Sequence, residues 1–336
     1  MRRISRLCVL AGGLGVGAAL ASTPGVASAD PPTEALSWTD QLLGGLSVAA
    51  DPSPLDMQIS VSGIDLFPTA DNTATATSGI TGIAIAIGNG ANANASGGFF
   101  NLAFADGGDA NSSAGAGLFG SFDVAIANGA NSTAGAGAGG NFDIAYADGA
   151  NSSAGAGVNS SLNIASAVGA GSKAAAGVGG SLETASADGT NSSANAGLGF
   201  LSNATAVGTG STASVAGTLD SAYVNGANSV AQAVGGNLDS ATVFGNGSSA
   251  IAQDGSFDLA SVIDTGGGGD LARAGGDSSV LGSFDIASVV GTGSTAEAGT
   301  ELGGLGGNFD LAAVFADMLS AMATGNNFLI DILPSM

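Results

Sequence analysis

The sequence predicts an all-β protein, a parallel β-solenoid or β-roll of about twelve coils, with about 20 residues in each coil. A unit of this length recurs, each unit holds two stretches of alternating small apolar and other residues, and Gly-rich or Asn-Ser turns separate the stretches. Alternation with period two is typical of strands. One such coil cannot bury its apolar face without neighbours above and below. Twelve coils stacked about 4.8 Å apart would form a rod about 55 to 60 Å high.

The repeat is clearest where Phe122-Asp-Val-Ala-Ile-Ala-Asn-Gly-Ala-Asn-Ser is followed in the next unit by Phe142-Asp-Ile-Ala-Tyr-Ala-Asp-Gly-Ala-Asn-Ser. A chain so rich in Gly, Ala, Ser and Asn also suits low-complexity disorder. Disordered chains lack regularly spaced apolar residues, however, so the periodic anchors favour the solenoid. The anchors of the twelve units are Ile83, Phe100, Phe122, Phe142, Leu162, Leu182, Leu201, Leu219, Leu238, Phe257, Phe284 and Phe309.

Composition excludes several functions. The 336 residues include 59 Gly, 27 Asp plus Glu and 5 Lys plus Arg, with no His, for a formal net charge of −22. Affinity for nucleic acids comes mainly from Lys and Arg neutralising phosphates, so no nucleic-acid partner is expected. Chemistry that depends on imidazole is excluded. Carbohydrate-cleaving solenoids need acids beside cations in a groove, and the scarcity of cations here predicts that the chain is not an enzyme.

The N-terminal segment 1–29 has the layout of a secretory signal peptide. Arg2, Arg3 and Arg6 precede an apolar run over 7–20, and the small residues before Asp30 predict cleavage after Ala29. The run is too short and too Gly-rich to span a membrane, so no transmembrane segment is expected in the mature chain. Cleavage would remove Cys8, the single cysteine, and would leave 2 cations against 27 acids, a net charge of −25. The expected location is secreted or in the cell envelope.

The two ends differ from the repeats. Residues 30–78 are expected to form an N-terminal segment or cap, with a short amphipathic helix over 33–46 and a β-like run over 57–67. The repeats occupy 79–325, and the apolar tail 326–336 is expected to cap the last coil. Both ends are expected to be capped because a solenoid requires terminal caps.

Alanine recurs at one position of every unit, which suggests a steric limit where two sheets approach each other. Whether the strand face that carries these alanines is buried stays open. Alanine alone contributes little hydrophobic stability, and a large Phe or Leu anchor would favour burial of the anchor at a corner. The recurring alanines are Ala84, Ala103, Ala125, Ala145, Ala165, Ala185, Ala204, Ala222, Ala241, Ala260, Ala287 and Ala312.

The second position of most units is acidic. Carboxylates about 5 Å apart repel by roughly 1 kcal/mol in water and three to four at an effective dielectric near 20. A bound Ca²⁺ ladder would relieve that repulsion; in the alternative, each Asp accepts a backbone N–H at a turn and stays solvated. No cofactor is required, and Ca²⁺ is the one considered. The metal candidates are Asp123, Asp143, Asp220, Asp239, Asp258, Asp285 and Asp310.

The Asn-Gly-Ala-Asn-Ser and Gly-Asn-Phe-Asp-Ile-Ala units resemble the secreted Gly/Ala-rich repeat proteins of mycobacteria, of the polymorphic GC-rich-sequence type. The chain departs from that family in its cleavable leader and in lacking an N-terminal Pro-Glu domain, which favours the general export route. The segments 206–213 and 228–231 are similar to the head repeats of trimeric autotransporter adhesins, which implies a β-roll and self-association. We therefore expect a non-enzymatic secreted or cell-envelope protein with a structural, adhesive or host-interaction role, or alternatively a calcium-binding β-roll. An envelope or host surface ligand is the expected partner.

Overall fold

The computed structural model describes residues 56–66, 72–108, 111–264, 266, 268–275, 284–299, 310–315, 317–323 and 328–331. The chain divides into two units, Met1–Pro54 and Leu55–Met336, and all described residues belong to the second. They form strands and turns, with no helix in these ranges and hence none able to cross a membrane. The leader and the helix predicted over 33–46 lie outside the described residues.

The described strands follow one another at short intervals. In chain order they are β1 (Met57–Val61), β2 (Ile64–Asp65), β3 (Thr75–Ser78), β4 (Ile83–Gly88), β5 (Asn92–Ala95), β6 (Leu102–Gly108), β7 (Ser113–Ala116), β8 (Val124–Asn128), β9 (Thr133–Ala138), β10 (Ile144–Asp148), β11 (Ser153–Val158), β12 (Ile164–Val168), β13 (Lys173–Val178), β14 (Thr184–Asp188), β15 (Ser193–Ala196), β16 (Asn203–Val207), β17 (Thr212–Thr218), β18 (Ser221–Asn225), β19 (Val230–Asn237), β20 (Ser240–Phe244), β21 (Ser249–Gln253), β22 (Leu259–Ile263), β23 (Leu271–Ala274), β24 (Asp285–Val290), β25 (Thr295–Ala298), β26 (Asp310–Val314), β27 (Ser320–Ala323) and β28 (Phe328–Asp331).

The strands form two sheets that confirm the predicted parallel β-solenoid. The first sheet, sheet A, has 15 strands in the order β2-β1-β4-β6 and onward through the even-numbered strands to β28. The second, sheet B, contains the 13 odd-numbered strands from β3 to β27. From β4 onward, neighbours within sheet A are parallel, as are all neighbours within sheet B, and equivalent residues stack, as in the Ala145–Ala165 pair. One coil is therefore one even-numbered strand, a turn, the next odd-numbered strand and a second turn.

The solenoid has about ten turns of about 20 residues, slightly fewer than the twelve coils predicted. Two of the later coils are longer than 20 residues because they carry inserts. Asp258 and Asp285, which are one coil apart, are separated by 27 residues, and Asp285 and Asp310 by 25. The first anchor is also corrected, because Ile83 pairs with Leu102 and Thr81 therefore occupies the position equivalent to Phe100.

An antiparallel hairpin covers the N-terminal edge of sheet A. Strands β1 and β2 pair antiparallel, and β1 also pairs antiparallel with β4, placing Ile59 opposite Ile85. The edge strand β2 has only two residues, and so short an edge strand offers little backbone for further pairing. The parallel coils begin at β3, within the segment assigned to the cap, and at the other end β28 within the tail pairs with β26.

The core is built from alanine. Successive side chains on a strand point to opposite faces, and in β8 this directs Ala125 and Ala127 inward, where both are fully buried. In the facing strand β9, Ala134 and Ala136 are also buried. Valine enters the inner face only in later coils, beginning with Val215. The alanine face is thus the inside, because two sheets carrying methyl groups can pack closely without cavities.

The anchors, whose burial the sequence left open, are not buried. The anchors from Phe100 to Phe284 are 38–58% exposed. From Phe100 to Phe257 they have φ between 57° and 67°, in the left-handed region. They do lie at a corner, but this backbone conformation directs the ring or the isobutyl group away from the core.

Candidate functional site

Most corners between a sheet B strand and the next sheet A strand have the pattern glycine, polar residue, anchor, acid. In one corner these are Gly120, Ser121, Phe122 and Asp123. The anchor points outward and the acid points inward, so that Asp123 is fully buried while Phe122 is 46% exposed. The corner therefore creates an interior column and an exterior column that run side by side along the coils.

We call the interior set the acidic column. It contains all seven Asp residues predicted from the sequence together with polar residues from the other coils, and every member is nearly or fully buried. The strand registers place these residues one above another. The members are Asn101, Asp123, Asp143, Asn163, Glu183, Ser202, Asp220, Asp239, Asp258, Asp285 and Asp310.

One carboxylate oxygen in many of these residues accepts a hydrogen bond from the next coil. The backbone N–H of Asp143 donates to Oδ1 of Asp123 at 3.0 Å, and the N–H of Asp258 donates to Oδ1 of Asp239 at the same distance. The acids thus accept backbone N–H groups, as one of the two hypotheses held. They do so between coils and inside the protein, whereas that hypothesis expected them to stay solvated.

The second oxygen has no such partner. Oδ2 of Asp123, Asp143, Asp220 and Asp239 is buried without a hydrogen bond. A buried polar atom left unpaired costs about 1–3 kcal/mol, and an ionised carboxylate costs more. These orphan oxygens therefore favour the protonated, uncharged form of the acids.

The pKa values rise accordingly. Burial raises the pKa of Asp123, Asp220 and Asp285 to about 6, and that of Asp239 to about 7. The largest of these values belongs to Asp258, whose pKa is raised to about 8 by burial first and then by the charges of Asp239 and Asp285. A column of stacked acids inside the protein holds protons at a pH where exposed acids have lost them.

Neutral and longer side chains interrupt the run of acids. Nδ2 of Asn163 donates to Oδ1 of Asp143 and to Oγ of Ser160, both at 3.0 Å. Glu183 accepts the N–H groups of Gly177 and Gly199 at 2.7 and 2.6 Å. Burial still raises its pKa, although these two hydrogen bonds oppose the rise.

Glycines leave room for the acidic column. A Cβ on Gly157 would lie 1.9 Å from Oδ2 of Asp143, and one on Gly137 would lie 2.0 Å from Oδ2 of Asp123. Both glycines have φ near +70°. Near the ends of β9 and β11, glycine therefore serves two needs, the left-handed turn and contact with a carboxyl group.

A second buried polar column lies at the opposite corner, and the sequence analysis missed it. Oγ of Ser132 donates to the carbonyl of Gly129 at 2.9 Å, and the same bond recurs in the coils of Ser152 and Ser172. The signal was available, because Ser recurs at the eleventh position of unit after unit. The column consists of Ser112, Ser132, Ser152, Ser172, Ser192, Ser211, Ser229, Ser248, Asp270 and Ser294.

Calcium would need several oxygens around one point. Within the described ranges, no three acidic, histidine or cysteine side chains are grouped so that they could hold a metal ion. The column instead offers at most one carboxyl group per coil, with the next members of the column directly above and below it. A proton on the carboxyl group removes its charge without the several surrounding oxygens that a divalent cation requires.

The anchors form the exterior column at the corner of the acidic column, and we call this exterior column the apolar ladder. Its Phe rings stack, with centroids of Phe122 and Phe142 at 4.8 Å and planes 2° apart, and Phe257 and Phe284 stack at 4.8 Å. These separations equal the coil spacing. The described members are Phe100, Phe122, Phe142, Leu162, Leu182, Leu201, Leu219, Leu238, Phe257 and Phe284.

The opposite edge presents amides and hydroxyls. Asn111, Asn131 and Asn151 are exposed and stack at successive coils, beside the outward-facing Ser113 and Thr133. We call these five residues the amide edge. An open depression of about 360 Å³ lies along its first coils, lined by Asn92, Asn111, Ser113, Asn131 and Thr133 among others.

A scan against protein-family models gave no match for this chain, and a search of curated proteins also gave none. The fold itself defines the class. The chain forms a parallel β-solenoid of tandem repeats, with alanine inside and two buried polar columns at its corners.

Proposed function

We propose that the chain is an exported, non-enzymatic repeat protein that acts as a structural and adhesive surface in the secreted or cell-envelope compartment. The amide edge carries this proposal, because it repeats uncharged donors and acceptors in register over successive coils. Amides and hydroxyls can both donate and accept hydrogen bonds. Such an edge suits the hydroxyl groups of an envelope or host glycan.

Two features of the sequence support export. The segment 1–29 has the charged, apolar and small-residue regions of a leader, and the repeats resemble those of secreted mycobacterial Gly/Ala-rich proteins. Fractionation of cells producing the full chain, with N-terminal sequencing of the product, tests this part. We expect a mature chain beginning at Asp30 in the medium or envelope. A cytoplasmic product that retains Met1 would contradict export.

Binding of the mature chain to immobilised cell-envelope polysaccharide tests the adhesive part. The matched variant is Asn131→Gly with Asn151→Gly, because Gly171 and Gly210 occupy equivalent turn positions in other coils and share the positive φ. This change removes two amides while keeping the turn. We expect at least a fivefold loss of affinity. Equal binding by the wild type and the double variant would contradict the role of the amide edge.

The calcium-binding alternative retains one favourable observation, the orphan carboxylate oxygens of the acidic column. Far-UV circular dichroism of the mature chain, with 1 mM Ca²⁺ or with a chelator, separates the two hypotheses. We expect the same strand spectrum in both conditions, because protons can neutralise the column. Strand signal that appears only with Ca²⁺ would establish the alternative instead.

A further inference from the structure

The apolar ladder has a symmetric order along the chain. Its eleven anchors from Phe100 to Phe309 are three Phe, five Leu and three Phe, so the series is the same in both directions about Leu201. Ten of these anchors are described by the structure, and Phe309 lies outside it. Because each coil contributes one anchor, symmetry in the sequence is also symmetry in space. Equivalent positions about the centre are Leu182 and Leu219, Leu162 and Leu238, Phe142 and Phe257, and Phe122 and Phe284.

The ladder exposes enough apolar surface for a stable contact between proteins. Its described side chains are 38–58% exposed, which amounts to roughly 900 Å² when a large side chain presents about 200 Å². Two such surfaces would bury about 1,800 Å², within the range of a standard interface. Val158, Val178 and Leu198, which precede their anchors in the same turns, are also exposed and widen the surface.

Charge is low along this edge of an otherwise acidic protein. The residues directly before the anchors are uncharged, as in Ser121, Asn141 and Ser161, and the acids directly after them are buried. Two copies, each with a formal charge of −22, would repel one another over acidic surfaces. The apolar ladder is an edge along which they can approach with little repulsion.

We propose that the apolar ladder is a homodimer interface in which two copies pack antiparallel about a two-fold axis at Leu201. A second copy is the partner that fits, because its apolar groups repeat at the same spacing of about 4.8 Å. A two-fold axis across the ladder pairs Phe with Phe and Leu with Leu. This inference is independent of export and of glycan binding.

Site-specific cross-linking tests the arrangement in the full chain with Cys8→Ser as background. Each variant is treated with a bismaleimide linker shorter than two coil spacings. Leu201→Cys lies on the axis and is expected to give a cross-linked dimer. Leu162→Cys alone is expected to stay uncross-linked, because antiparallel packing separates the two copies of this position by four coils, about 19 Å. A mixture of Leu162→Cys with Leu238→Cys is expected to give the heterodimer.

Control measurements separate specific cross-linking from random contact and from unfolding. Ser153→Cys places an exposed thiol on the outer face of sheet B and is expected to give no dimer. Circular dichroism establishes that each variant keeps its strands, and sedimentation of the unsubstituted chain measures association without any substitution. Cross-linking of Leu162→Cys alone would overturn the antiparallel arrangement. A monomer at 100 µM, or a monomer that binds phosphatidylcholine vesicles, would overturn the interface itself.

Discussion

At each corner of the solenoid, two consecutive residues have opposite environments. Phe142 is 53% exposed with φ of 61°, whereas the next residue, Asp143, is fully buried. The period of two and the repeat place both residues in columns, and this much can be predicted from the sequence. Their direction could not be predicted, because residue hydrophobicity favours burial of Phe over Asp. Packing decides the direction, since only the face that carries alanine fits between the two sheets.

Replacing Asp258 by Asn is expected to change how stability depends on pH. The folded pKa of Asp258 is about 8, above its ordinary value of 3.8. The folded protein therefore keeps a proton that the unfolded chain releases, and this stabilisation is complete below about pH 4 and is lost as the pH rises through 8. An asparagine at this position would need no proton, as Asn163 shows in the same column. Asp258→Asn should raise the free energy of unfolding by about 2 kcal/mol at pH 8.5 and change it little at pH 4.5.

Urea denaturation at the two pH values measures this difference. Asp188→Asn is the matched control, because Asp188 is exposed on the outer face of sheet A. The control should alter stability by less than about 0.5 kcal/mol at both pH values. A loss of stability in Asp258→Asn at pH 8.5 would show that the charged carboxylate is favourable in the column.

Glycines in one strand are expected to differ sharply in their tolerance of alanine. A Cβ on Gly157 would lie 1.9 Å from the carboxylate of Asp143, and φ there is +72°. A Cβ on Gly155 would meet nothing within 4 Å, and Ala175 already occupies the equivalent position one coil further on. Gly157→Ala should lower the free energy of unfolding by about 3 kcal/mol, whereas Gly155→Ala should be neutral or stabilising. Thermal unfolding of both variants measures the contrast, and equal melting temperatures would contradict it.

At the scale of strands, the sequence predicts pairing but not every direction of pairing. The repeated units specify parallel neighbours because equivalent residues must stack, and the registers confirm this for Ala145 and Ala165. The β-like run near Met57 is confirmed as a strand, yet its antiparallel pairing with β4 could not be inferred. Alternation of residue types with a period of two indicates which face of the strand a residue occupies. It does not indicate the direction of the neighbouring strand.

The alanine core predicts a limit on side-chain volume in the strands. Ala165 is fully buried between Ala145 and Ala185, and this position is alanine in every coil from β4 to β26. Ala165→Val is expected to lower the free energy of unfolding by about 1–3 kcal/mol, because two extra methyl groups must force the sheets apart. Ala206→Val is the control, because its neighbour one coil further on is already Val224. Urea denaturation should show the smaller loss for Ala206→Val, and a larger loss there would contradict a limit on side-chain volume at the position of Ala165.

At the scale of the whole molecule, the stacking of coils changes the protonation of the acids and hence the net charge. Acids that are one repeat apart in the sequence become neighbours inside the protein, and burial raises the pKa of Asp258 to about 8. The formal charge of −22 therefore overstates the negative charge that the folded chain carries near neutral pH. The acidic composition was evident from the sequence. The protonation of its buried part could not be predicted, because it depends on which face of the strands points inward.

A carbon-13 NMR titration of the side-chain carboxyl groups tests most directly the claim that coil stacking buries the acidic column. We expect a set of Asp carboxyls, led by Asp258 near pH 8 and Asp239 near pH 7, to titrate well above exposed acids. Asp258→Asn assigns the highest midpoint by removing it. Titration of every carboxyl group near pH 4 would contradict the buried column, and with it the stacking that places these acids inside.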